Sequence, residues 1–128
     1  MYYRTKVTIQ LQGEDKPKSY LFLFESPSYG YIEEVAFDKL GPLGEVFGID
    51  SITKTSYNYI LRGAEGSIWY SIKVNFFSED DKKIPAFYMV LANSVISAER
   101  IVKEKENLNS SIGEVAEVKE TKIVEVYE

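Results

Sequence analysis

A chain of 128 residues that is 45% hydrophobic and 14% aromatic can bury a real core as one domain, which excludes an intrinsically disordered segment. Twenty acidic against 15 basic residues give a formal charge of −5, a balance that disfavours a protein whose main task is gripping nucleic-acid phosphates. With neither cysteine nor histidine, the chain has no disulfide, no thiolate or imidazole metal ligand, and no Cys- or His-based catalytic machinery.

Residues 2–12 alternate. Tyr3, Val7, Ile9 and Leu11 fall on one side, and Tyr2, Arg4, Lys6, Thr8 and Gln10 on the other, which is the pattern of a half-buried strand. Gly13 and Pro17 punctuate a polar turn over residues 13–18, so residues 19–24 return as the second strand of a hairpin. That run is apolar on both faces and is expected to be covered on both. Pro27 between two candidate serine caps, with Glu33 and Glu34 next, starts a helix whose inward positions read as Tyr31, Ile32, Val35, Phe37 and Leu40. Gly41-Pro42 stops it. Residues 43–48 read as a glycine-punctuated connection, and residues 49–60, rich in Ile, Thr and Tyr, as a third strand. Residues 62–66 link this half to the next.

The second half follows the same order. A strand begins at Trp69 and runs to Phe77, a charged turn covers residues 78–83, and a second apolar strand occupies residues 87–92. Asn93 or Ser94 caps a helix with Val95, Ala98, Ile101 and Val102 as its buried stripe. After a loop at residues 107–113, residues 114–127 read as one closing strand. Tyr2, Tyr3, Lys6 and Val7 align with Trp69, Tyr70, Lys73 and Val74, while Ile49, Ile52 and Thr55 align with Val115, Val118 and Thr121. The expected fold is therefore α+β: two pseudo-repeated ββαβ units, about residues 2–61 and 68–127 of a single domain, forming one largely antiparallel sheet with two helices on one face.

YYRTKV and FGIDSITKTSYNYI in the first half, with WYSIKV and the closing EVAEVKETKIVEVYE in the second, carry a whole-chain resemblance. The chain resembles a family of small uncharacterised proteins, a domain of unknown function, from Bacteroidetes and their phages. It departs from that family's pattern at Asn109-Ser110-Ser111. The resemblance implies the duplicated architecture and a bacterial or phage origin, and it brings no mechanism with it.

Little in the chain reads as chemistry. Glu79-Asp80-Asp81 is the densest acidic cluster, but it lacks calcium-loop spacing and runs straight into Lys82-Lys83, so it reads as a solvated turn. The glycine-bearing segments at residues 41–44 and 63–66 match no phosphate-binding fingerprint. No metal and no cofactor is expected, and the protein is expected not to be an enzyme.

One constellation reads as a binding face. Tyr2, Arg4 and Lys6 lie opposite Val7 and Ile9, and Trp69 and Lys73 lie opposite Tyr70, Ile72 and Val74. Helices covering the valine faces would leave these five side chains on the open side of the sheet. Aromatics and cations there suit a protein interface, with a second copy in a homodimer as the expected partner. The alternative is a platform for single-stranded nucleic acid, which the acidic total disfavours. The expectation is a non-enzymatic binding or adaptor protein acting through a sheet face or edge. No run resembles a signal peptide or reaches the roughly 20 apolar residues of a membrane helix, so a cytoplasmic protein that does not engage membrane is expected.

Overall fold

The structure, a computed structural model, describes residues 1–128. In chain order its elements are β1 (Tyr2–Leu11), β2 (Lys18–Glu25), α1 (Ile32–Leu40), β3 (Gly44–Lys54), β4 (Tyr59–Arg62), β5 (Ile68–Phe77), β6 (Lys83–Ala92), α2 (Val95–Glu106), β7 (Gly113–Glu120) and β8 (Ile123–Tyr127). Short 3-10 turns at Tyr29–Tyr31 and Gly41–Leu43 flank α1. The fold class is α+β.

The chain divides into two compact units, Met1–Ser56 with Lys122–Glu128, and Tyr57–Thr121. The first has a four-stranded sheet in the order β3-β1-β2-β8, in which β1 runs antiparallel to both β2 and β3 while β8 lies parallel to β2. The second has the order β4-β6-β5-β7, in which β5 runs antiparallel to β6 and β7 while β4 lies parallel to β6. The single sheet expected from the sequence is thus two sheets, each carrying one helix.

The physical reason lies in two breaks. The run at residues 49–60 is not one strand: β3 ends at Lys54 and β4 starts at Tyr59. The run at residues 114–127 breaks in the same way, between β7 and β8. At each break a threonine folds back on a neighbouring carbonyl. Thr55 donates its N–H (3.0 Å) and its Oγ1 hydroxyl (2.7 Å) to the Tyr2 carbonyl, and Thr121 does the same to the Trp69 carbonyl at 2.9 and 2.8 Å. Such side-chain bonds compete with the ladder and turn the chain out of it. The strand that follows each break pairs in the other sheet.

The expected connection at residues 43–48 belongs almost wholly to β3. Gly44 starts that strand because a Cβ there would lie 2.1 Å from the Gln10 carbonyl oxygen, a distance only glycine permits.

In the first unit, Tyr3, Val7 and Ile9 of β1 and Phe22 and Phe24 of β2 pack against Ile32, Ala36 and Leu40 of α1. The stripe repeats every four residues, and the small Ala36 lets the helix sit close to the sheet. Phe37 and Tyr31, expected inside, are 46% and 55% exposed because they fall off this stripe. Ser28 precedes the 3-10 turn without a capping bond, so the expected serine cap is not made there. In the second unit, Tyr70, Ile72 and Val74 of β5 and Tyr88 and Val90 of β6 pack against Ala98 and Val102 of α2. Ser94 caps α2 by accepting the Ser97 N–H at 3.1 Å, and Asn107, left-handed at φ 50°, ends it. Val95, expected in the stripe, faces out at the first turn.

Candidate functional site

Alternation along β1 sends Tyr3, Thr5, Val7 and Ile9 toward α1 and leaves Tyr2, Arg4 and Lys6 on the opposite face. Arg4 and Lys6 are exposed, and neither forms an ion pair. Across from them stand Leu23 and Leu21 of β2 on one side and Thr53 and Ser51 of β3 on the other. Tyr2 is half-buried, and its hydroxyl reaches the Glu25 carboxylate at 3.5 Å. The first unit therefore brings three of the expected site residues onto one face of β1 with both cations exposed, although Leu23, across from Arg4 on that face, is 0% exposed.

The second unit does not reproduce that surface. Trp69 shares a face with Lys73, as expected, yet it is 1% exposed. The Arg62 guanidinium sits 4.9 Å from its ring centroid. A tryptophan so deeply buried is core, and the open-face placement of this ring is overturned. Alternation says which side of a strand a residue takes, but what covers that side is decided by packing. Lys73 is half-buried opposite Glu117, whose carboxyl is held below its ordinary pKa, first by the Lys119 ammonium at 2.6 Å and to a lesser degree by Lys73.

The accessible face of β1 continues onto a free strand edge. β3 pairs with β1 alone, so its outer side is an edge. Two irregularities, between Lys6 and Val7 and between Thr8 and Ile9, leave Asp50 and Phe47 as extra residues on the β3 side. Asp50 is tied down: its Oδ2 accepts from the hydroxyls of Thr8 (2.8 Å) and Ser19 (3.2 Å). Phe47 is not, and its ring is 54% exposed. Residues 51–54 pair regularly with residues 3–6 and present a straight edge. Sequence reasoning missed Phe47 because the flanking Gly44 and Gly48 hid the strand around it. The signal lay in Val46-Phe47 running into Ile49 and Ile52, a stretch rich in strand-forming residues.

The four edge strands differ in how they are protected. β4 has four residues and β8 has five, too short to template much pairing. β7 carries four charged side chains in eight residues, whereas β3 carries three in eleven. Charge and brevity are among the ways sheets blunt their edges; β3 is the longest of the four and, of the two long edges, much the less charged.

Over residues 1–128 the chain matches the family model described as Domain of unknown function (DUF4494). It belongs to that family. No curated protein and no solved structure matches it. Elsewhere in this DUF4494 chain, Glu79, Asp80 and Asp81 occupy a tight turn, with Asp81 left-handed at φ 58° and the Lys82 N–H on the Ser78 hydroxyl at 3.1 Å. No three acidic side chains come together anywhere to hold a metal ion. No helix is long and apolar enough to cross a membrane.

Proposed function

We propose that this DUF4494 protein is a non-enzymatic binding or adaptor protein that works by protein–protein contact through the β3 edge and the adjoining face of β1, with a second copy of itself as partner. The observation that carries the reading is β3 itself, the one long edge with little charge, with an exposed phenylalanine at its bulge. An added strand would gain main-chain hydrogen bonds along residues 51–54, and Phe47 would supply the apolar anchor. Arg4 and Lys6 beside that edge set the charge the partner must meet. The setting proposed is the cytoplasm of a bacterial or phage-infected cell. Sedimentation velocity of the purified protein tests this: the wild type should be a homodimer, and Phe47→Lys should weaken it about tenfold or more while melting at the same temperature. A wild type that stays monomeric at high concentration, or a variant that dimerises as well as the wild type, overturns the reading.

The second reading, single-stranded nucleic acid held on Tyr2, Arg4 and Lys6, is favoured by those two unpaired cations on one accessible strand. It loses the ring it most needed when Trp69 falls in the core. Binding to an oligonucleotide that weakens steeply with salt and is lost in Arg4→Glu would favour it over the first.

We further propose that the two units arose as a duplicated ββαβ sequence. Its support is the matching order of β3-β1-β2 and β7-β5-β6, the twin threonine clasps, and the glycines that open β3 and β7. Gly113 lies against the Asn75 carbonyl just as Gly44 lies against that of Gln10.

A further inference from the structure

We infer that the outer face of α1 is a second docking surface, built for a basic protein segment that carries an arginine or lysine beside an apolar residue. A groove of about 510 Å³ opens there, lined by Pro27, Tyr31, Glu34, Val35 and Asp38. Its apolar walls are the Pro27 ring and the Val35 side chain. Tyr31, one of its lining residues, is 55% exposed, and Tyr29 and Phe37, outside the lining, are 60% and 46% exposed. Three exposed rings within nine residues are what protein interfaces use and what an isolated surface would shed.

The charges say what kind of segment fits. Glu34 and Asp38 are four residues apart, so they lie on the same side of the helix, one turn from each other. Neither forms an ion pair or a hydrogen bond, and the helix's one lysine, Lys39, pairs with neither. Like charges at this spacing oppose helix formation; Glu34, in the first turn, is favoured by the helix dipole, whereas Asp38, near the C-terminal end, has no such compensation. A cationic side chain placed between them relieves the repulsion, and the Tyr31 ring offers it a π face. A metal ion fits the groove less well: no group of three or more acidic side chains gathers there, and Pro27 and Val35 would leave the apolar part of the groove unused. Nor would a small polyamine use Tyr29 and Phe37, which lie outside the groove. The surface is independent of the β3 edge.

Fluorescence anisotropy on the full chain tests this with a labelled Arg-Leu-Arg-Leu-Arg-Leu peptide, its Glu-Leu counterpart, and spermine as competitor. The arginine peptide should bind and the glutamate peptide should not. The double variant Glu34→Lys/Asp38→Lys should bind the arginine peptide at least tenfold more weakly, and Tyr31→Ala should also weaken it although no charge changes. Glu79→Lys/Asp80→Lys alters the net charge equally at a turn of the second unit and should leave binding as it was. All five altered side chains are exposed, so the variants should keep the wild-type melt. Equal loss in both double variants would mean unspecific attraction to an acidic protein, and would overturn the proposal. So would full binding by Tyr31→Ala together with complete displacement by spermine, which would make the site a polyamine site. Phe47→Lys, run in parallel, should not move this affinity, which keeps a failure here separate from a failure at β3.

Discussion

The Tyr88 hydroxyl sits where ionisation is unfavourable. The residue is 1% exposed, its ring stacks on Tyr59 at 5.0 Å, and burial first, then the nearby Glu106 carboxylate, pushes its pKa far above the ordinary tyrosine value. The unfolded chain ionises this phenol near pH 10, while the folded chain holds it protonated to much higher pH. Folding stability is therefore level below about pH 10 and falls as pH rises beyond it, because only the unfolded state gains by losing the proton. Tyr127 and Tyr20 shift in the same direction, Tyr127 mainly through burial and Tyr20 mainly through its 2.6 Å bond to Glu14. Thermal melts between pH 8 and 11.5 should show this decline, and Tyr88→Phe should make it shallower at the cost of about 1 kcal/mol at neutral pH. An unchanged alkaline slope in the variant would place the titration elsewhere. The alternation of β5 made the inward position of Tyr70 legible. It could not show that Trp69, one residue along, would be buried too, since period-two patterning names a side and not its cover.

The two threonine clasps are the features at the scale of elements that local pattern could not supply. Residues 49–60 keep strand-forming composition throughout, so no periodicity marks the stop at Lys54. What ends the strand is a bond between residues 53 apart in sequence, Thr55 to Tyr2, repeated at 52 apart between Thr121 and Trp69. Beyond the first break, Asn58 fixes β4 beside β6 by donating its N–H to the Phe87 carbonyl (2.8 Å) and accepting the Phe87 N–H on Oδ1 (2.9 Å). Hairpins, helices and their stops were readable because their causes lie within a few residues; pairing partners were not. Thr55→Val and Thr121→Val keep the branched shape and remove only the hydroxyl bond. Each should lower urea-unfolding stability by about 0.5–1.5 kcal/mol, and by similar amounts if the two sites are equivalent. If both changes are neutral, the backbone N–H alone suffices to turn the chain.

At the scale of the whole molecule, connectivity and compactness part company. The second unit is a continuous stretch, Tyr57–Thr121, whereas the first is completed only by Lys122–Glu128 after the second has been made. Its last strand, β8, pairs with β2 from Leu21 to Phe24, buries Val126 to 2% exposure and stacks the Tyr127 ring on Phe24 at 5.4 Å. Removing Lys122–Glu128 therefore strips one face of the Phe24 ring and leaves β2 as a new edge with unpaired backbone groups. Every strand and the helix of the second unit remain. Hydrogen exchange of the chain truncated after Thr121 should show protection lost across β2 while β5 and β6 hold theirs, and a synthetic peptide of residues 122–128 added in excess should restore β2 by mass action. Protection lost evenly across both units would mean that they unfold as one cooperative body, and that the division seen in the packing has no counterpart in the energetics.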